Sequence, residues 1–279
     1  MYRSTLCICF CFVGRIRVLF AKPTDFLRCS RLIGEKPVKQ KKEEKTTLTR
    51  KRQRKIEKMP IDLYGLVYSP PCRSVLLLAK AIGVHLNLKT VSPMDGEHMK
   101  PDFLKLNPQH VIPTMDDNGF ILCESRPIMG YLASKYAKND SLYPKDPKKR
   151  GMVDQMLYFD AGSLHENMIK CYYPVALHGA HSLNEEDVQA VEKSCELLNT
   201  YLENREFVAG DTLTIADFAI HTTICILLCF DFDIGRYDNV AAWYNRCKQL
   251  LDKFGFEDVH APGTKMFTEL YQANLGKSS

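Results

Sequence analysis

The chain predicts an α/β unit at 59–137 and an all-α helical unit at 147–279, preceded by a disordered basic extension at 1–58. Three observations carry this reading: the charge is split along the chain, the apolar rhythm changes near Tyr136, and turn signals separate short strands from helices only before that point. The 279 residues are 45% hydrophobic and 25% charged, enough apolar material for a sizeable core, which excludes collagen-like, low-complexity and wholly disordered chains. No apolar run reaches the length of a bilayer span, so no membrane-spanning helix is expected.

Residues 1–58 carry 17 Lys and Arg against 5 Asp and Glu, a balance of +12; the remainder carries 21 against 28, a balance of −7. A basic arm on an acidic globule differs from a basic protein, and nucleic acid is not the expected partner. Residues 36–58 are too polar to offset the entropy of ordering. Residues 1–24 hold Arg and Lys with no acid before Asp25, a weak transit-peptide pattern that leaves mitochondrial targeting open. Arg50-Lys51-Arg52-Gln53-Arg54-Lys55 has the composition of a nuclear-import or nucleic-acid patch, and Met59 would serve as an initiator of a shorter mature chain.

Ile61 to Val67 reads as a strand. Ser69-Pro70-Pro71 opens a helix that runs to Gly83, because Ser is a favoured N-cap and Pro fits a first turn whose N–H groups lack helical partners. A strand near Leu86 to Val91 and a short helix at Pro101 to Leu106 follow. Pro113 to Met115 and Phe120 to Cys123 are strands joined across Asn118-Gly119, a strong hairpin signal. A helix from Ser125 to about Tyr136 completes a β-α-β-α-β-β-α order, with the first two strands parallel and the last two antiparallel. Helical stretches follow near 150–180, 185–205, 214–231 and 238–254; Thr214-Ile215-Ala216-Asp217 is a capping box, with Leu213 and Phe218 placed as a hydrophobic staple. Seven cysteines beyond the arm show no CxxC spacing, which points to free thiols in a reducing compartment and to no zinc site.

Leu63-Tyr64-Gly65, Ser69-Pro70-Pro71-Cys72-Arg73, Gly96-Glu97-His98, Asn107-Pro108-Gln109-His110-Val111-Ile112-Pro113, Glu124-Ser125-Arg126 and Leu213 to Asp217 stand in this order. Together they resemble the cytosolic glutathione S-transferases, delta and epsilon classes, over residues 60–275. The resemblance implies a thioredoxin-like N-terminal domain with a mixed four-stranded sheet, an electrophile-binding helical domain, a cytoplasmic homodimer, and detoxification by joining glutathione to apolar electrophiles. Glutathione is then a co-substrate, and no cofactor or metal is implied.

By the same resemblance Ser69 is the catalytic hydroxyl. Glutathione reacts as a thiolate, and a donor at a positive helix end favours that anion. Glu124 matches the partner of the glutathione ammonium, and Ser125 and Arg126 match the contacts of its γ-glutamyl carboxylate. His98 and His110 match contacts of the glycyl carboxylate. Pro113 matches the family's cis-proline, and Val111 and Ile112 precede it, Ile112 as the residue pairing with the cysteinyl backbone. Tyr64 and Cys72 are rivals to Ser69. His165, Met168 and Tyr173 match the electrophile pocket, with Phe230 or Phe232 beside them, and Tyr158 matches a residue at the dimer interface. A second reading keeps the fold but makes the protein a non-catalytic sequestering binder of apolar ligands, and a third makes it a thiol–disulfide oxidoreductase working through Cys72.

Overall fold

A computed structural model describes residues 60–276, so the expectations for the basic extension concern residues outside those described. Strand β1 (Ile61–Gly65) buries Ile61 and Leu63, and period-two alternation turns Asp62 and Tyr64 to the opposite face. Helix α1 (Pro70–Ile82) stops at Gly83, whose φ of 75° gives the left-handed cap suited to glycine. Strand β2 (Leu86–Thr90), the six-residue helix α2 (Pro101–Leu106), strands β3 (Thr114–Asp117) and β4 (Phe120–Cys123), and helix α3 (Ser125–Tyr136) follow. The sheet order is β2-β1-β3-β4, with β1 and β2 parallel and the other neighbours antiparallel. Asn118 and Gly119 both take positive φ at the β3–β4 turn, as the hairpin signal requires.

The second part is helical: α4 (Pro147–Phe159), α5 (His165–His178), α6 (Glu185–Tyr201), α7 (Ile215–Leu228), α8 (Asp238–Leu251) and α9 (Phe256–Asn274). The single helix expected over 150–180 is instead α4 and α5 joined by a π-helical turn, Asp160–Leu164. The sequence reading stopped before α9, because Pro262 and Gly263 lie inside it and argue against a helix. Helix α7 is buried on all sides apart from its last residue, which explains its nearly continuous apolar sequence. Its capping box is present: the Asp217 carboxylate accepts from the backbone N–H of Thr214 at 2.8 Å and of Val208 at 3.0 Å, and from Trp243 Nε1 at 2.9 Å. Helix α1 lies between the sheet and α7, so one core continues from the first part into the second.

Two histidines sit inside this core. His221 on α7 is fully buried and stacked on Tyr244, with ring centroids 4.2 Å apart. His260 on α9 is stacked on Phe256 at 4.3 Å. Burial pushes His221 down to about 3; burial, with Arg73 and His221 nearby, pushes His260 down to about 2. Both are therefore neutral in the folded chain, whereas the unfolded chain takes up their protons below about pH 6.5. Stability should hold above that pH and fall as the pH drops from about 6.5 towards 3, by up to about 2.7 kcal/mol per pH unit while both histidines are linked. Urea midpoints measured from neutral to mildly acidic pH check this; a flat profile between about pH 6.5 and 5 contradicts it.

Candidate active site

The strand directions gather the loops that carry the candidate site residues at one end of the sheet. Ser69 follows β1; His110, Val111, Ile112 and Pro113 precede β3; Glu124, Ser125 and Arg126 follow β4. Tyr64 pairs with Thr114, and Thr114 with Cys123, so these three segments leave the same edge of the same end. His98 comes there from the segment after β2, its ring 5.9 Å from that of His110.

Ser69 is the N-cap of α1. An N-cap hydroxyl usually accepts from the second or third helical N–H, but Pro71 occupies the second position and has none. The Ser69 side chain makes no capping hydrogen bond to the helix backbone, and its hydroxyl lies beside the Cys72 thiol. The Ser69 backbone is fixed at both ends: its N–H donates to the Leu66 carbonyl at 2.9 Å and its carbonyl accepts from the Arg73 N–H at 3.0 Å.

The rivals to Ser69 are placed otherwise. Tyr64 lies on the sheet face turned to α2, its ring 6.2 Å from Phe103. Cys72 is fully buried, with its sulfur packed where a side chain on Gly65 would come within 2.7 Å. Burial pushes its thiol up to about 11, more than the nearby Ser69 hydroxyl offsets, so it is not a thiolate near neutrality. A buried neutral thiol does not suit disulfide exchange.

The loop before β3 is organised by Asn107, whose side chain donates to the Val111 carbonyl at 3.1 Å and to Thr114 Oγ1 at 2.9 Å. The Ile112–Pro113 peptide is cis, and His110 has φ 49°. Among the described residues no hydrogen bond engages the N–H or C=O of Ile112, which leaves both for an extended ligand backbone. Gln109 Nε2 donates to the Glu124 carboxylate at 3.2 Å, tying this loop to the next segment. Glu124 has φ 70° and ψ 119°, a conformation costly for a residue with a side chain, directly before α3. Ser125 and Arg126 open that helix, whose first N–H groups attract an anion.

The Arg126 guanidinium binds Asp160 of the π-helical turn, its Nε donating to Oδ2 at 3.0 Å and its Nη2 reaching the same oxygen. Asp160 is fully buried, and its other oxygen accepts from Thr223 Oγ1 on α7 at 2.8 Å. His165 stands beside them, its Nδ1 3.5 Å from Thr223 Oγ1, and burial lowers its pKa. A small cavity lined by Pro70, Pro71, Ser125, Arg126 and His165 joins this network to the first turn of α1. Met168 is fully buried, and Tyr173 stacks on Phe267 of α9 with centroids 5.4 Å apart. Phe230 stacks on Tyr172 at 4.7 Å, and Phe232 on Tyr237 at 6.2 Å. His165 and Tyr173 thus face different neighbours, near Asp160 and near α9. Asp160 and Thr223 escaped the sequence reading; an acid inside an otherwise apolar helical stretch was their only signal.

Family profiles described as glutathione S-transferase N-terminal domain and C-terminal domain match residues 63–140 and 164–250. Glutathione S-transferase D7 of Anopheles gambiae is 43% identical over 213 residues, covering 76% of this chain and 97% of that protein. The Bombyx mori glutathione transferase BmGSTD1 superposes with a TM-score of 0.75 at 43% identity, covering 76% of this chain and 98% of that one. A Nilaparvata lugens delta-class glutathione transferase gives a TM-score of 0.73 at 47% identity, covering 77% and 99%. The chain belongs to the glutathione S-transferase family and is a transferase of that kind.

The Arg126–Asp160–Thr223 network is the kind of buried ion pair whose half-removal leaves an uncompensated charge. Asp160→Ala should destabilise the fold by about 3 kcal/mol or more, and Thr223→Val by about 1 kcal/mol. Urea unfolding checks both; equal, small effects would contradict the arrangement.

Proposed function

We propose that the Ser69 hydroxyl donates a hydrogen bond to the sulfur of bound glutathione and holds it as a thiolate for attack on an apolar electrophile. The single observation that carries this is a Ser69 hydroxyl that caps no backbone N–H, placed at a helix N-terminus at the same end of the sheet as the cis Ile112–Pro113 peptide and Glu124. The cysteinyl unit of glutathione pairs with the free N–H and C=O of Ile112, with Val111 and Pro113 fixing that loop. Its ammonium meets Glu124; its γ-glutamyl carboxylate meets Ser125 and the N-terminal end of α3, with the Arg126 charge behind it. His98 and His110 donate to the glycyl carboxylate. On the electrophile side His165 is the candidate, since it borders the small cavity beside Pro70, Pro71 and Ser125; Met168 is fully buried and Tyr173 stacks on Phe267 of α9, so neither is assigned a contact.

A charge-assisted hydrogen bond contributes about 1.5–3 kcal/mol, and about 1.4 kcal/mol is one pKa unit. Ser69→Ala should therefore raise the pKa of bound glutathione by about 1–2 units and lower kcat/KM at neutral pH by about ten- to a hundredfold. Glutathione-dependent conjugation of an aryl halide measures this. Full activity in Ser69→Ala rules the assignment out.

The assembly we propose is a homodimer. A cleft of about 590 Å³ runs between α3 and α4, lined by Pro127, Tyr131, Tyr143, Leu157 and Tyr158 beside Glu124 and Arg126. Tyr158 is 80% exposed there, an aromatic ring suited to burial against a second copy. Tyr158→Glu should shift the sedimentation coefficient from dimer towards monomer; an unchanged dimer removes Tyr158 from the interface. A cytoplasmic setting is proposed from the seven free cysteines among the described residues, which suit a reducing compartment.

A further inference from the structure

Arg73 lies one helical turn after Ser69, yet its side chain is fully buried between α1 and α9. Its Nη1 donates to the His260 carbonyl at 3.0 Å and lies 3.3 Å from His260 Nδ1. Its Nε and Nη2 have no hydrogen-bond partner among the described residues. The guanidinium presses against α9 where Gly263 has no side chain; a Cβ there would stand 2.8 Å from Arg73 Cζ. Buried arginines are ordinarily paired with carboxylates, because an unpaired charge in the interior is expensive. Among the described residues no carboxylate pairs with this one.

The groups facing Arg73 are His260 from α9, Cys225 and Cys229 from the end of α7, Tyr173 from α5 and Cys72 from its own helix. Burial pushes Cys72 up to about 11 and Cys225 up to about 12, and raises Cys229 and Tyr173 as well. His260 is held neutral, as described above. Near neutral pH every one of these groups is therefore uncharged, whereas a guanidinium keeps its proton. The interior beneath the first turn of α1 holds a full positive charge with no countercharge paired to it among the described residues.

We propose that Arg73 is a positioning residue for the reaction, whose buried and unpaired charge reinforces the N-terminus of α1 and stabilises the glutathione thiolate held at Ser69. The ligand supplies the missing anion. This rests on the reading that Ser69 receives the sulfur. Four residues of helix are about 6 Å of rise, and the extended side chain places the charge on the order of 10 Å from that end. At an effective dielectric of about 20, a unit charge at about 10 Å shifts a neighbouring pKa by about one unit. A role confined to clamping α9 would lower thermal stability and leave the thiol pKa of folded protein unmoved.

The test is ultraviolet titration of the thiolate in the binary glutathione complex of the full chain, alongside the pH profile of kcat/KM. Arg73→Gln should raise the bound thiol pKa by about one unit and lower kcat/KM about tenfold near pH 6.5, with recovery at alkaline pH. Arg73→Lys, which keeps the charge, should stay within a few tenths of a unit of the parent. An unmoved pKa in Arg73→Gln, with Ser69→Ala still raising it, overturns the proposal. An unmoved pKa in Ser69→Ala overturns instead the reading of Ser69. Should Arg73→Gln fail to fold, the parent complex decides. A buried charge escapes screening, so its thiol pKa should be the same in dilute buffer and at about 1 M salt. A rise with salt assigns the stabilisation to exposed cations and removes Arg73.

Discussion

The structure depends on where strand directions leave the ends of loops. With β1 and β2 parallel and β3 and β4 turned back against them, the segments after β1, before β3 and after β4 leave the sheet at one end. None of these segments alone makes a site. Ser69 has a hydroxyl, Ile112 an open backbone, and Glu124 and Ser125 a carboxylate beside a helix start. The sheet holds them at fixed spacing, which is what the proposed binding of a tripeptide with a thiol, an ammonium and two carboxylates requires.

The same end of the sheet is joined to the helical part by polar groups. Asp160 is fully buried, yet it receives Arg126 from α3 and Thr223 from α7. Arg73 reaches from α1 to the backbone of α9. Apolar contacts between α1 and α7 would hold the two parts together but tolerate sliding, because dispersion is not directional. Ion pairs and hydrogen bonds with fixed partners set one register of the helical part against the loops at that end of the sheet. The carboxylate that orients Arg126 therefore comes from the part of the chain that is expected to receive the electrophile.

Features that reside within a few residues were legible in the sequence. Ser69-Pro70-Pro71 gave the helix start, Asn118-Gly119 the hairpin, and Thr214 with Asp217 the cap of α7, because each depends on backbone chemistry local to the motif. The family resemblance placed the cis peptide at Pro113, which periodicity alone does not reveal. Asp160 lies 34 residues from Arg126 and His260 lies 187 from Arg73, and no local pattern announces such pairings. Helix α9 was hidden for a related reason: Pro262 and Gly263 oppose a helix locally, while packing of Phe256, Val259, Phe267 and Tyr271 against the core overrides them. The glycine that weakens α9 as a helix is also what admits the Arg73 guanidinium.

A serine rather than a cysteine at position 69 follows from the same electrostatics. A helix N-terminus that stabilises a ligand's thiolate would equally stabilise a thiolate of its own, and a cysteine there would compete with glutathione for the positive end or form a mixed disulfide with it. The chain keeps a cysteine three residues further on, at Cys72, but buries it against Gly65, where loss of solvation keeps it protonated. A hydroxyl can donate to sulfur without carrying charge itself. On the proposed reading, the positive end of α1 is then left to a single anion, the sulfur of the bound tripeptide.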